Sequence, residues 1–159
     1  MSWRGSIDLK DKIFGALMYL IPLLDAFMFG QYLFKQFPVL MALYLPLAPL
    51  ITFYYQFPFG SFIIFLVLFF AVVRNDKVAH FVRFNAMQSI LIGILLSLFG
   101  LIMRYVFESL GSPLLTETLY NFAFLAAFAA SIYGIIQSAL GRYAEIPTIS
   151  EAAYSQVRW

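Results

Sequence analysis

Long uncharged stretches, separated by short clusters of charged residues, dominate the pattern of hydrophobic and polar positions along this chain. Four stretches carry no charged side chain, at residues 13–24, 36–73, 84–103 and 118–141. A helix rises about 1.5 Å per residue, so about 20 apolar residues cross a hydrocarbon core of roughly 30 Å. The last two stretches therefore predict one membrane span each. The first reaches the required length when it continues to about Phe29.

The second stretch is long enough for two spans, but prolines interrupt it. They are Pro38, Pro46, Pro49 and Pro58. Because proline lacks an N–H and clashes with the preceding turn, each one breaks or bends a helix. The unbroken apolar run at 59–73 is therefore the better candidate for a span. We predict that residues 36–56 lie in the interface on the outer side or re-enter the membrane, with aromatics such as Tyr54 and Tyr55 in an interfacial belt.

Basic residues decide the number and direction of the spans. Four spans place eight basic residues on the side of the termini and the 74–83 loop, and only Lys35 and Arg104 on the other side. Those eight are Arg4, Lys10, Lys12, Arg74, Lys77, Arg83, Arg142 and Arg158. Five spans would put six of the ten basic residues outside, against the excess of Lys and Arg that cytoplasmic loops carry.

The pattern therefore predicts an all-α integral membrane protein with both termini on the cytoplasmic or stromal side. The four transmembrane helices are expected at about 13–29, 59–73, 84–103 and 118–140. The proline-bent segment at 36–56 lies between the first two, and a short tail helix is expected at about 150–158. The loops are too short for a soluble domain, so the chain forms a single membrane domain.

Composition supports this prediction and excludes other classes of protein. Hydrophobic residues make up 63% and charged residues 11% of the 159 residues, against about 25% charged in an ordinary soluble domain. A domain of this size cannot bury so much apolar surface away from water. Disordered chains need the opposite composition. The net charge of +2 gives no reason to expect a nucleic-acid partner.

Neither catalysis nor a cofactor is predicted from the residues available. The chain has no cysteine and a single histidine, His80, which leaves no ligand set for a metal site. No glycine-rich phosphate loop and no motif of a nucleophilic or metal-dependent hydrolase is present. The apolar run after the basic start has no small-residue cleavage site, so we expect a mature N-terminus without a cleavable signal.

Asp25 is the only acidic residue inside a predicted span. A carboxylate at the bilayer centre costs roughly 2.5–3.5 kcal/mol on insertion scales, so such residues face partners or water. Counted from Lys12, Asp25 is expected toward the outer end of its helix, on the side of Arg104, and we predict that the two side chains pair. An interfacial acid with a structural partner and a residue of a path or gate remain alternative interpretations.

Small and polar residues recur along one face of the third and fourth predicted helices. The third helix has Asn85, Ser89, Gly93 and Ser97 at a spacing of four, and the fourth has Ala123, Ala127, Ser131 and Gly134. Because small residues at this spacing let helices approach closely in lipid, we predict that Gly93 and Ser97 contact the face formed by 127–134. A polar seam that lines a substrate path is the alternative.

Four stretches of sequence carry a resemblance to a known family. They are Tyr19-Leu-Ile-Pro-Leu-Leu-Asp25, the Gln-Phe-Pro at 36–38, Val72-Val-Arg-Asn75 followed by Phe81-Val-Arg-Phe-Asn-Ala-Met-Gln88, and Glu145-Ile-Pro-Thr-Ile-Ser-Glu-Ala-Ala153. Together they resemble the twenty-kilodalton subunit of the translocon at the inner envelope membrane of chloroplasts, over nearly the whole chain. Plant members carry a transit peptide that is not seen here, so the chain is similar to a cyanobacterial or plastid-encoded member.

The resemblance implies a non-enzymatic membrane component that helps to form or support a preprotein path in a complex with other translocon subunits. It implies residence in a cyanobacterial plasma or thylakoid membrane, or in the plastid inner envelope. The matching signature positions are Asp25, Arg74, Asn75, Arg83, Phe84, Asn85 and Gln88, and the helix pattern adds Ser89, Gly93 and Arg104 as candidate path or packing residues. A small-solute or ion channel or carrier, and a membrane assembly scaffold, are the alternative functions.

Overall fold

The structure, a computed structural model, describes residues 6–157, and this part of the chain contains helices and turns but no strand. Its α-helices are α1 (Leu9–Met18), α2 (Leu20–Phe27), α3 (Gln31–Gln36), α4 (Pro38–Leu43), α5 (Ala48–Gln56), α6 (Gly60–Val67), α7 (His80–Ile102), α8 (Pro113–Ala139) and α9 (Ile149–Gln156). Short 3-10 segments at Met28–Gly30, Leu45–Leu47 and Glu108–Leu110 and π-helical segments at Leu68–Val73 and Met103–Phe107 join or extend them.

Three long helices are apolar and long enough to cross a membrane. The first long helix runs over Leu9–Gln36 and contains α1 to α3, the second is α7 with its extension over His80–Leu110, and the third is α8. They coincide with the spans predicted at about 13–29, 84–103 and 118–140, and each helix extends beyond its predicted range at one end or both. The helices continue past the charged residues because a helix that crosses the hydrocarbon core also extends into the polar region on either side.

Local sequence explains where the third long helix begins. Gly111 has a positive φ of 69° and ends the preceding helical segment, a conformation that glycine adopts without a side-chain penalty. Ser112 then caps α8, because its hydroxyl accepts a hydrogen bond from the N–H of Leu115 at 3.3 Å. Pro113 follows at the first helical position, where no N–H is required. The second and third long helices therefore form an antiparallel hairpin.

The second predicted span, 59–73, is not a straight membrane-crossing helix by itself. Leu45–Gln56 and Gly60–Val73 form a bent pair with an angle of 101° between them, and the chain reaches a fourth candidate span only when that pair is counted as one. Phe59 has a positive φ of 57° at the bend. Pro58 cannot continue α5, and a Cβ at Gly60 would lie 2.8 Å from the carbonyl oxygen of Phe53, so only glycine fits there.

The segment between the first long helix and α6 folds back against that helix. The hydroxyl of Tyr44 donates to the carbonyl oxygen of Leu23 at 3.1 Å, and the hydroxyl of Tyr55 donates to the carbonyl oxygen of Leu24. Residues 23 and 24 lie near the middle of the first long helix. Tyr55 keeps 40% of its surface exposed while its hydroxyl turns inward to this backbone acceptor, and its position in an interfacial belt stays a prediction.

Two apolar clusters hold the fold together. The larger one lies where the first long helix, α4 and α8 meet, and its members include Phe29, Phe34, Tyr44 and Phe124. The smaller one packs the tail helix α9 against the start of α7 and includes Val73, Phe84, Met87, Ala153 and Val157. Many large apolar side chains point outward instead, for example Leu98, Phe122 and Leu125 at 51%, 67% and 54% exposure. An apolar outer surface of this kind marks contact with lipid or with another protein.

The tail helix occurs close to its predicted position. It runs over Ile149–Gln156 rather than 150–158, and the predicted last residue, Arg158, lies outside the described residues, as does Arg4 near the other end of the chain. Ala153 is fully buried against the start of α7. The tail helix is therefore part of the packed fold.

Candidate functional site

A buried polar network connects the three long helices in the half of the fold that contains α9. Tyr19 donates its hydroxyl to Oδ1 of Asn85 at 2.6 Å and accepts a hydrogen bond from Nε2 of Gln88 at 2.8 Å. Ser138 on α8 donates to the same Asn85 oxygen at 3.2 Å, and Gln88 also donates to the carbonyl oxygen of Ala144 at 2.8 Å. All four side chains, called here the inner network, are fully buried, so each bond is shielded from water.

Two glycines make room for the inner network. A Cβ at Gly134 on α8 would overlap three carbon atoms of the Tyr19 ring, and a Cβ at Gly15 on α1 would lie 2.9 Å from Nδ2 of Asn85. The small face of α8 therefore packs against the first long helix. Close approach through small residues is the normal way for helices to pack in lipid.

Arg83 attaches the 74–79 loop to the start of α7. Its Nε donates to the carbonyl oxygen of Val73 at 3.0 Å, and its guanidinium forms a salt bridge with Asp76 at 3.6 Å. Arg74 is exposed, with its guanidinium 5.1 Å from the centre of the Phe69 ring. The side-chain oxygen of Asn75 accepts from the N–H of Lys77 at 3.0 Å and orders the turn.

Phe84 connects α7 to the tail. Its ring centre lies 4.5 Å from that of Tyr154 on α9 and 5.0 Å from that of Tyr143, and its side chain is fully buried. Five of the signature positions, Asn75, Arg83, Phe84, Asn85 and Gln88, thus lie at helix contacts and turns in this half of the fold. These contacts support a packing role for them rather than a role in lining a path.

Asp25 occupies a different environment, in the middle of the fold. It lies near the midpoint of the first long helix and beside Gly93, which is near the midpoint of the second: a Cβ at Gly93 would be 2.7 Å from its Oδ2. Its other oxygen, Oδ1, accepts a hydrogen bond from the hydroxyl of Tyr54 on α5. The predicted position toward the outer end was wrong, because the helix begins at Leu9 and continues to Gln36, well beyond the predicted range.

A cavity of about 420 Å³ opens beside this carboxylate, between the bent pair and the two long helices. Most of its lining is apolar, and the polar side chains in it are those of Asp25, Tyr54, Tyr55, Ser61, Ser89 and Ser97. Ser89 is completely buried and its hydroxyl has no hydrogen-bond partner. We call this feature the Asp25 cavity.

The predicted pairing of Asp25 with Arg104 does not occur. Arg104 is exposed, and its guanidinium lies 5.7 Å from the centre of the Tyr105 ring. It is about three turns beyond Gly93 along the second long helix, a rise of about 16 Å, which is too far for its side chain to reach Asp25. Both residues line a second cavity of about 470 Å³, but without contact.

The predicted contact between Gly93 and the 127–134 face of α8 is also wrong. Gly93 faces Asp25 on the first long helix, and Ser97 lines the same cavity, while Gly134 faces Tyr19. Both small-residue faces therefore pack around the first long helix. The spacing of small residues identifies a face for close packing but does not specify which neighbour packs on it.

Two residues of these sites were not identified from the sequence as site residues. Tyr19 lies within the first of the four family-like stretches, but nothing in the local pattern shows that its hydroxyl bridges two residues of a distant helix. Tyr54 was considered only as a member of an interfacial belt, and the structure shows that it hydrogen bonds to Asp25. A tyrosine hydroxyl in a mainly apolar segment was the available signal, because buried hydroxyls need a partner.

Comparison with known protein families gives one match over most of the chain. The family model described as "Chloroplast import apparatus Tic20-like" matches residues 10–153. The chain belongs to the Tic20 family. The resemblance seen in the signature stretches is thereby confirmed, since this family is the twenty-kilodalton translocon subunit family.

Individual relatives support this assignment. The chain is similar to a Tic20 family protein of Synechocystis sp., with 67% identity over 160 residues that cover 100% of both chains. It is 35% identical over 153 residues to "Protein TIC 20-v, chloroplastic" of Arabidopsis thaliana, covering 96% of this chain and 73% of that protein. It is 34% identical over 159 residues to "Tic20 family protein Ycf60" of Gracilaria tenuistipitata var. liui, covering 96% and 78%.

Proposed function

We propose that this Tic20 family protein is a non-enzymatic membrane subunit of a protein-translocating complex, in which it helps to form or support the path of a preprotein. The observation that carries the proposal is the match of the chloroplast import family over residues 10–153. Relatives named as chloroplastic TIC 20 proteins in Arabidopsis thaliana and Pisum sativum support it. The 67% identity to a Synechocystis protein favours a cyanobacterial membrane, plasma or thylakoid, over the plastid inner envelope.

The packing of the fold indicates where such a path would lie. The four side chains of the inner network are fully buried, and their hydrogen bonds join the three long helices. A polypeptide therefore cannot pass through the middle of one copy without unpacking it. We infer that the path is formed between this chain and other copies or subunits, which makes an oligomer or a complex part of the proposal.

We also propose four membrane crossings, with both termini on the cytoplasmic or stromal side and the bent pair serving as the second crossing. In support, the start of α1, the 74–79 loop and the end of α8 lie at the same end of the fold. Lys12 contacts Gly141, since a Cβ there would be 2.9 Å from its Cε, and Arg83 pairs with Asp76. This end carries most of the basic residues, as the inner side of a membrane protein does.

Site-specific cross-linking to an arrested preprotein tests the translocation proposal. Because the chain has no cysteine, single cysteines can be placed at the outward-facing Leu98 and Phe122 and, as a control, at the buried Ala127. We expect the outward positions to cross-link to a preprotein held in transit or to a partner subunit, and the buried position to give neither. A protein that cross-links to neither from any outward position contradicts the proposal.

A small-solute carrier or channel is the second candidate function, and the Asp25 cavity is the observation that favours it. Purified protein in vesicles distinguishes the two candidates. Solute or ion flux by the protein alone, lost in Asp25→Asn, would favour the carrier. Absence of flux together with preprotein cross-links would favour the translocon subunit. A scaffold would show neither flux nor preprotein cross-links, and would copurify with assembling membrane proteins.

A further inference from the structure

The carboxylate of Asp25 has no cationic partner among residues 6–157. Its Oδ1 accepts from the Tyr54 hydroxyl, while Oδ2 lies over Gly93 and has no donor among the described residues. Within the part of the chain that the structure describes, no lysine, arginine or histidine lines the Asp25 cavity. Because acids within membrane spans pair with another group or face water, Oδ2 is available to a partner from outside this chain.

The mouth of the cavity is apolar and faces outward. Met28, Phe62, Ile94 and Leu98 line the cavity and are also exposed, at 56%, 55%, 42% and 51%. They come from three different elements, so the carboxylate is recessed in a ring of apolar side chains. This apolar mouth offers no polar groups to an ion that arrives from water. The apolar face of a neighbouring transmembrane helix can pack against it.

The volume and polar groups of the cavity suit one long basic side chain. About 420 Å³ lies within the range of about 300–1,000 Å³ that is usual for ligand sites. The hydroxyl of Ser89 is buried and without a partner, and Ser61 and Ser97 add two further hydroxyls to the lining. A cationic group at Oδ2 would thus find a carboxylate and neutral acceptors around it, while its alkyl stem packs on the apolar ring.

We propose that the Asp25 cavity is a docking site for a transmembrane helix of another protein that carries a lysine or arginine near its midpoint. The basic side chain enters between the bent pair and the second long helix and pairs with Oδ2 of Asp25, and its helix covers the exposed apolar ring. The proposed function supplies the setting, because subunits of a membrane complex and passing polypeptides both present such helices. The pairing itself is independent of any transport step.

A synthetic helix tests the pairing directly. The chain with Ile94→Cys at the rim is reconstituted in phosphatidylcholine vesicles with a Leu/Ala transmembrane peptide that carries one cysteine and a central lysine. The matched control peptide has methionine in place of the lysine, which keeps length and removes charge. Disulfide formation with the chain is measured against peptide concentration, and Phe122→Cys, on an exposed part of α8, reports random encounter.

We expect the lysine peptide to be captured about five- to thirtyfold more strongly than the methionine peptide, the range of interhelical hydrogen bonds in model peptides. This preference should disappear in Asp25→Asn and persist in Asp25→Glu. Equal capture of the two peptides by the Asp25 protein would overturn the proposal, and that comparison needs no Asp25 variant to fold. A lysine preference that survives in Asp25→Asn, or that equals the preference at Phe122→Cys, would also overturn it.

Peptide capture and the preprotein cross-linking described above together separate this inference from the proposed function. Lysine-specific capture without any preprotein cross-link in membranes would support the docking site and reject the translocation role. Preprotein cross-links without lysine-specific capture would do the reverse.

Discussion

Replacing Gly134 by alanine should destabilise the fold by displacing Tyr19 from the inner network. The added Cβ would overlap three ring carbons of Tyr19, and this ring is fully buried, so it has no free space to move into. Overpacking of a tight core costs about 1–3 kcal/mol. Alanine instead of glycine in a helix returns about 0.5–1 kcal/mol.

Movement of the ring would also weaken two buried hydrogen bonds. The Tyr19 hydroxyl lies 2.6 Å from Oδ1 of Asn85 and 2.8 Å from Nε2 of Gln88, and each bond contributes about 0.5–1.5 kcal/mol net. We therefore expect Gly134→Ala to lower the free energy of unfolding by about 2–4 kcal/mol. The measurement is an SDS titration of the protein in mild-detergent micelles, followed by circular dichroism.

Gly100→Ala is the matched control. A Cβ at Gly100 would lie 3.4 Å from the nearest ring atom of Phe29, an ordinary van der Waals contact, so this variant should be at least as stable as the parent protein. Tyr19→Phe added to Gly134→Ala should cost little more, because the hydroxyl bonds are already disturbed. If Gly134→Ala is as stable as Gly100→Ala, or if the two changes are fully additive, the reasoning is refuted.

Three further predictions concern the bend, the 74–79 loop and the tail. Phe59→Gly should raise the thermal midpoint by removing the cost of a positive φ on a bulky residue, about 1–2 kcal/mol, and an unchanged or lower midpoint would contradict this. Arg83→Met removes the donor to the Val73 carbonyl and should speed hydrogen exchange in 74–79 while leaving α8 unaffected; equal protection in both proteins would count against it. Tyr154→Ala removes the ring that stacks near Phe84 and should expose α9 to protease, whereas an unchanged cleavage rate would mean that the ring contact does not hold the tail.

Hydrophobic pattern and charge were sufficient to predict the class of the protein and most of its helices. A charge-free run of about 20 residues has few alternatives to a membrane-crossing helix, because every backbone N–H and C=O must be satisfied within the segment. This is why the helices around 84–103 and 118–140 were predicted correctly in kind, and why only their ends were wrong. The family could also be recognised from local stretches such as Val72-Val-Arg-Asn75.

Contacts between distant residues could not be predicted in the same way. The pattern identified faces of small residues on α7 and α8. It did not show that both faces pack on the first long helix, because the spacing of Gly93 and Gly134 is compatible with any close neighbour. Asp25 was recognisable as an unusual acid, yet its depth depended on where the helix begins and ends. Its partner Tyr54 comes from a segment whose path past Pro58 and Phe59 only the tertiary structure reveals.

The sequence by itself thus determined the all-helical membrane class and the family. It also identified the polar and charged residues that lie within apolar segments. Only the tertiary structure decided that Asn85 and Gln88 join Tyr19 in a buried network and that Asp25 faces a cavity rather than Arg104. The physical reason is that the two kinds of feature depend on different amounts of the chain. Membrane insertion depends on the composition of a single segment, whereas a hydrogen bond between helices depends on rotations and depths that several segments set together.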